Sequence, residues 1–577
     1  MKLTKALLAV IATFFCVVAS ANAQTVQMVG IGSSALFLEM GQAAALSGSI
    51  GATCTWTVAS GTVFATDSRI TASENGQFWV AWQPGSGTCT APAGTYNIYA
   101  YLQTDSTVGN RCIFAVPACT MTFPTTTAAG ANLLSPVNDV ALPAIIQTTL
   151  NGASFNVAGT DIRPEDAKFA TIRALTDCGT PVAPGSQYLG LGYATASGAA
   201  TGNQIKEADG IGAIASGKGA TFNVADFNLT GSDPISHTSI TYSYKVYDVG
   251  AVPIVVFVNP GDESGFGSLQ VQNLTRATLA GYLDGTYGRA SDAIGQGYSA
   301  SGASAVGTTV FLREPLSGTY NTMEYGVPNN TEIQSSQDVG VNSPVNIDAL
   351  NCTSGAHPTV NQNPLADTVS RLGGAGSSSR YRAIGTGDEV KQVLAVTDSL
   401  GYSFWGTGNF KNATASNAKY LTVDGIDPLQ QVWVDGLVPT ANNGLLGNVS
   451  FANVKNGSYP IWSKLRLAAT NTGEAGASAL ATAAQTYVSP LQPDFVPIKQ
   501  LEIVRSHFAP PFNSSSTYNA NFPSSGINQP ANGTPNCNAG STPEAGGDVG
   551  GLVYSLQADG DFCADNLTAY GNIGRRQ

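Results

Sequence analysis

The chain has 577 residues and a formal charge of −12; 43% of its side chains are hydrophobic and only 11% charged, less than half the usual charged share of about 25%. Disorder needs low hydrophobicity and high net charge, so a disordered chain is excluded, and the lack of a basic stripe excludes a nucleic-acid binder. Three histidines, 65 glycines and abundant Ser, Thr and Asn point to an extracytoplasmic, turn-rich protein, and the length predicts three or four units of roughly 150 residues.

Lys2 and Lys5 precede an apolar run from Ala6 to Val18, and Ala21-Asn22-Ala23 is a small-x-small cleavage site. Residues 1–23 therefore read as a signal peptide cut after Ala23, which places the protein in the periplasm or the medium with no membrane anchor. Cys16 lies in that run, and Thr13-Phe14-Phe15 before it does not fit a lipoprotein site. Eight cysteines follow: Cys54, Cys89, Cys112, Cys119, Cys178, Cys352, Cys537 and Cys563. An even count in a secreted chain reads as disulfides, with on the order of 100 connectivities open. Sequence proximity favours Cys54–Cys89, Cys112–Cys119 and Cys537–Cys563. With no Cys-x-x-Cys pair and few histidines, no metal site is expected, and no cofactor.

Val26 to Gly30 reads as a strand, and Ala35 to Ala45 as a helix capped by Ser33 or Ser34. Residues 47–95, with Cys54, Trp56, Trp79 and Trp82 among Thr, Gly and Ser, read as a β-rich, disulfide-closed insertion. Tyr96 to Leu102 is a strand, and a helix starts after Asp105-Ser106-Thr107. Phe155 to Val157 leads extended to Gly159-Thr160-Asp161, and Pro164-Glu165-Asp166 opens a third helix. Ser239 to Tyr247 alternates, and Val252 to Val258 is a continuous apolar, buried strand. Thr275 caps a helix that has a Leu274–Leu279 staple and ends at Gly285. A strand over Val310 to Leu312 is followed by a helix running to Tyr325. Asp388 to Ala395 is helical, Gly401 to Trp405 extended, Tyr459-Pro460-Ile461-Trp462 starts another apolar segment, and Leu501 to Phe508 forms a last helix. Alternating strands and helices give an α/β fold. From Ala509 onward Pro, Asn, Ser and Gly predict an irregular tail held by Cys537 and Cys563.

Three places share one design, a strand ending in small hydroxyl residues where a helix starts: Gly32-Ser33-Ser34, Asp105-Ser106-Thr107 and Ser317-Gly318-Thr319. Helix N-termini carry unpaired N–H groups and partial positive charge, so they bind oxyanions, and in open α/β sheets such ends gather at the carboxyl edge. Arg313 adds a fixed cation four residues before Ser317. Each serine alone reads as a simple cap; together with Asp161 the pattern is more specific.

In this order, Gly30-Ile31-Gly32-Ser33-Ser34, Asp105-Ser106-Thr107, Thr160-Asp161 and Arg313-x-x-x-Ser317-Gly318-Thr319 resemble the periplasmic phosphate-binding proteins of ABC uptake systems. The resemblance covers 26–46, 96–175 and about 240–508. It implies a two-lobed, type-2 periplasmic-binding fold with β-rich insertions: lobe 1 over 24–258 with the 47–95 insertion, lobe 2 over 259–457, a return to lobe 1 over 458–508 and the tail over 509–577. It also implies a monomer that binds inorganic phosphate or a similar oxyanion and docks on an ABC permease. Carried over, Ser34 and Ser106 give hydroxyl and N–H groups, and Ala35 gives its N–H where the family has an aromatic residue. Asp161 accepts the proton of hydrogen phosphate. Arg313 contacts the anion, and Ser317, Gly318 and Thr319 cradle it. A carboxylate at 161 would repel an anion with no proton to share, such as sulfate. Where the family often has an acid two residues after the arginine, this chain has Pro315, with Glu314 beside it; Arg163 is an extra cation that could alter selectivity or pair with Glu165.

Two other classes stay open: an extracellular structural protein reusing this fold without transport, and a phosphoester hydrolase. No catalytic residue is assigned, because no Gly-x-Ser-x-Gly elbow occurs and His237, His357 and His507 lie far apart with no nucleophile motif beside them. Ala558-Asp559-Gly560-Asp561 with Asp565 lacks full calcium-loop spacing and reads as a surface turn. Trp56, Trp79 and Trp82 read as core rather than as a sugar-stacking face.

Overall fold

A computed structural model describes residues 24–67, 73–115, 117–123, 129–162, 244–260, 265–283, 287–295, 307–313, 317–327, 379–383, 385–430, 435–487 and 494–502, with short pieces between 164 and 241. The leader, the tail, Cys537–Cys563, Gly285, Arg163 and most of the helix expected from Pro164 lie outside these residues.

The N-terminal part begins with β1 (Gln24–Ser33). A 3-10 turn, Ser34–Leu36, leads into α1 (Phe37–Leu46), and Ser33 caps the turn. The insertion supplies β2 (Cys54–Val58), β3 (Phe64–Thr66), β4 (Ser73–Asn75) and β5 (Phe78–Trp82). Then come β6 (Tyr96–Thr104), α2 (Ser106–Phe114), β7 (Thr120–Thr122), α3 (Ala144–Leu150) and β8 (Val157–Thr160). β1 lies between β6 and β8 and is parallel to both, with Ser33 opposite Thr104 and Gly32 opposite Gly159. Gly32 has φ +134°, and a Cβ there would sit 2.2 Å from the Gly159 carbonyl oxygen. Only glycine allows the two backbones this approach.

The insertion is β-rich and closed by the Cys54–Cys89 disulfide, as expected. It is not a separate layer: β5 pairs antiparallel with β6, and β2 with β5, so it widens the main sheet. Alternation along β5 explains this, because Trp79 packs on one face with α1 residues while Phe78, Val80 and Trp82 pack on the other with Trp56. All three tryptophans are buried, which makes them core. The second close pair, Cys112–Cys119, is also bonded. Arg111 of α2 is buried against Glu74 of β4 and tethers the insertion to that helix.

The C-terminal part starts with β9 (Lys245–Asn259), longer than the apolar run that marked it. It is followed by α4 (Arg276–Leu283), β10 (Thr309–Arg313), α5 (Gly318–Gly326), β11 (Ser379–Ala383), α6 (Thr386–Ala395) and β12 (Ser399–Phe404). Then come β13 (Trp462–Ala469), α7 (Glu474–Thr486) and β14 (Val496–Pro497). Thr275 caps the α4 turn, its hydroxyl accepting from the Thr278 N–H at 3.1 Å. The chain is a mixed α/β protein. Among the described residues twelve strands form one mixed sheet, with the order β11-β10-β12-β9-β13-β8-β1-β6-β5-β2 along its main path.

β9 joins the two halves of this sheet. Up to Pro253 it pairs with β13, and from Ile254 with β12. Proline has no N–H to give a ladder, and it stands where the partner changes; its carbonyl accepts from Trp405 N at 2.9 Å. The chain crosses back beside this point, where the Tyr459 hydroxyl donates to the Ile254 carbonyl at 2.6 Å.

Two expectations need correction, and one helix was not anticipated. Ser239 to Tyr247 is not one strand: Ser239–Thr241 pairs with Thr230–Ser232, and β9 begins only at Lys245. Leu501 ends a 3-10 turn, Ile498–Gln500, and takes an extended conformation instead of starting a helix; 503–508 lie outside the described residues. α7 had no counterpart in the sequence reading.

Candidate functional site

β1, β6 and β8 are parallel, so their carboxyl ends meet at one edge. This edge holds Ser33, the turn Thr104-Asp105-Ser106, and Thr160-Asp161. β10 ends at Arg313, opposite Ala383 of β11, and α5 and α6 start just beyond. The two edges meet directly: Arg313 reaches Asp105, and the start of α5 lies against Asp161.

Asp161 stands at the meeting point. It is 2% exposed, and the Ser106 hydroxyl donates to its Oδ1. On the other side is the first residue of α5: a Cβ on Gly318 would lie 1.8 Å from Asp161 Oδ1. The starts of α2 and α5, one from each half, thus converge on one carboxylate, where their N-terminal partial charges favour negative charge. Burial pushes Asp161 up to about 6, while its own backbone N–H, Arg313, Arg466 and the Ser33 hydroxyl pull the other way.

Arg313 is 1% exposed. Its Nη1 donates to the Thr386 hydroxyl at 2.6 Å and its Nη2 to Asp105 Oδ1 at 3.1 Å. The acid that holds this arginine therefore comes from the opposite half of the sheet. Ser317 is buried and caps α5, its hydroxyl accepting from the Tyr320 N–H at 3.3 Å; Thr319 is buried beside it. Ser34 is half-buried, and the Ala35 N–H donates to Ser33 Oγ at 3.3 Å. Ser106, Asp161, Arg313 and Gly318 thus come together through side chains or direct approach. Ser34 and Ala35 reach the same edge with only local contacts.

Several residues at this site were not singled out from sequence. Arg466 on β13 lies opposite Thr160, is 3% exposed and acts electrostatically on Asp161. Tyr101 donates its hydroxyl to the Ser33 carbonyl at 2.7 Å. Asn110 donates to the Ser106 carbonyl at 2.8 Å and to Thr160 Oγ1 at 3.0 Å, tying two of the loops together. Asn321 donates to the Ser317 carbonyl at 2.7 Å. A signal for this pair was present: Ser106-x-x-x-Asn110 and Ser317-x-x-x-Asn321 repeat one pattern at two helix starts. Among the described residues, no cluster of three or more His, Cys, Asp or Glu side chains suits a metal ion, and no helix is long and apolar enough to cross a membrane.

No family model matches the chain. No curated protein matches it in sequence. Among solved structures, it is similar to an ABC-type phosphate transport receptor from Vibrio cholerae, at 15% identity and a TM-score of 0.23, covering 42% of this chain and 66% of that one. It is also similar to a phosphate-binding protein from Stenotrophomonas maltophilia, at 13% identity and a TM-score of 0.30, over 72% of this chain and 87% of that one. An ancestral soluble variant of the human phosphate-binding protein matches at 13% identity and a TM-score of 0.31, over 86% and 98%. The structural neighbours are phosphate-binding proteins, and similarities this distant assign nothing to individual residues.

Proposed function

We propose that the protein binds inorganic phosphate, or a closely similar protonated oxyanion, between the two halves of its sheet and serves as an extracytoplasmic solute-binding protein. The observation that carries this reading is the buried Asp161 carboxylate set against two helix starts, with Arg313 at the facing edge. Helix N-termini and guanidinium groups attract an anion. A carboxylate among them tolerates only an anion with a proton to share, which suits hydrogen phosphate and disfavours sulfate.

In this reading the lobes are 24–258 and 259–457, the chain returns over 458–508, and Ser34, Ala35, Ser106, Asp161, Arg313, Ser317, Gly318 and Thr319 line the site. The protein works as a monomer in the periplasm or the medium and hands its anion to an ABC permease. Calorimetric titration of the mature, disulfide-intact protein with phosphate tests the assignment. Arg313→Ala is expected to weaken binding by about 1.5–3 kcal/mol, the range for a hydrogen bond to a charged group. Equal affinity in the variant would remove Arg313 from the site.

A further inference from the structure

We propose that Asp105 is a positioning residue for Arg313, supplied from the opposite half, and that this pair holds the two edges together before any anion enters. The inference rests on the phosphate reading only for what later binds between the edges.

Asp105 is the N-cap residue of α2, with the extended backbone of that position (φ −101°, ψ 156°), yet its side chain makes no capping bond. An aspartate at this position ordinarily accepts a hydrogen bond from the first turn of its helix. The carboxylate forgoes it and takes the Arg313 guanidinium instead, at 3.1 Å. The two side chains are 1% and 14% exposed, so salt screens the pair little, and removing one partner strands a buried charge.

The guanidinium is gripped from two sides. Nη1 is fixed within its own half by Thr386, the first residue of α6, and Nη2 is fixed by Asp105 at the end of β6. In a clamp that closes only on its ligand, the ligand supplies the bridging negative charge. Here a protein carboxylate does so, and a ligand can shift the closed population only through its extra affinity for that state.

Hydrogen exchange of the mature protein without added anion tests this, read at the amides that open α2 (106–111) and α5 (318–323). The variant Asp105→Ser keeps a good cap but is too short and uncharged to reach Arg313; Asp105→Asn serves as a second variant if the first folds poorly. Loss of the pair is expected to speed exchange at the start of α5, in the opposite half, by about tenfold or more, while Asp105→Glu keeps it near wild type. A merely local role would loosen α2 alone. Unchanged exchange at 318–323 in both charge-removing variants would overturn the proposal. Adding phosphate is expected to restore protection in Asp105→Ser; failure of that arm alone, with the faster exchange present, would count against phosphate as the ligand and leave the pair standing.

Discussion

Gly318 lacks a side chain where Asp161 leaves no room for one. Its substitution by alanine would place a methyl 1.8 Å from the carboxylate oxygen, between two buried groups. Overpacking of this kind costs about 1–3 kcal/mol, so Gly318→Ala is expected to lower the unfolding free energy, read from denaturant titration, by that much and to weaken phosphate binding about tenfold or more. Wild-type values for both would show that Asp161 moves aside freely. At this scale part of the site was legible. Ser106, Asp161, Arg313 and Gly318 carry a local signature, since each sits where a strand ends or a helix begins. Ser33 was read as a candidate cap within the first helix start, with the contact assigned to Ser34, yet it is the Ser33 hydroxyl that bears on Asp161. Arg466 lies inside the strand Trp462–Ala469 and meets Asp161 only because β13 pairs with β8; nothing in its neighbours reveals that. Asp105 was read only as part of the turn before a helix, and its bond to Arg313 depends on the facing of two distant edges.

Helices and strands were legible where a pattern contrasts with its surroundings. Val252 to Val258 stood out as a buried strand, and Thr275 as a cap. α7 did not stand out: Ala475, Ala477, Ala479, Ala481, Ala483 and Ala484 supply strong helix propensity, but small residues blur the apolar face that periodicity detects. α7 packs against α1, and α1 carries a charge problem that the sequence did not reveal. Its Glu39 is 1% exposed, and Asp494, just before β14, is 7% exposed. Burial, and then the neighbouring Asp494 charge, hold Glu39 well above the usual carboxylate range, while burial pushes Asp494 up to about 6. Asp494 also accepts the Thr407 N–H at 2.7 Å, from the loop after β12. Groups raised in the folded state bind more protons there than in the unfolded chain, so their contribution to stability is lost as pH rises from the ordinary carboxylate range through about 6. The unfolding temperature is expected to fall across that window, and Glu39→Gln, which cannot ionise, is expected to flatten the fall. A profile as steep in the variant as in the wild type would show that Glu39 does not drive it.

The whole molecule is organised by one strand. β9 belongs to both halves of the sheet, changing partners at Pro253, and the return at Tyr459 crosses beside it, so the two carboxyl edges are brought face to face. The α/β class was legible from the alternation of segments. The strand order was not, because parallel pairing joins segments far apart in sequence. The insertion illustrates the same limit: its β content and its disulfide could be read, but not that β5 and β2 extend the main sheet. In the proposed function, the Asp161 carboxylate at this edge-to-edge meeting selects the anion. The most direct test is calorimetric titration of wild type and Asp161→Asn with phosphate and with sulfate at about pH 8, where Asp161 is ionised. Wild type is expected to prefer phosphate by about 100-fold or more, roughly 2.7 kcal/mol, and the variant to narrow this gap by gaining sulfate and losing phosphate affinity. Equal binding of both anions by the wild type, or an unchanged preference in the variant, would contradict it.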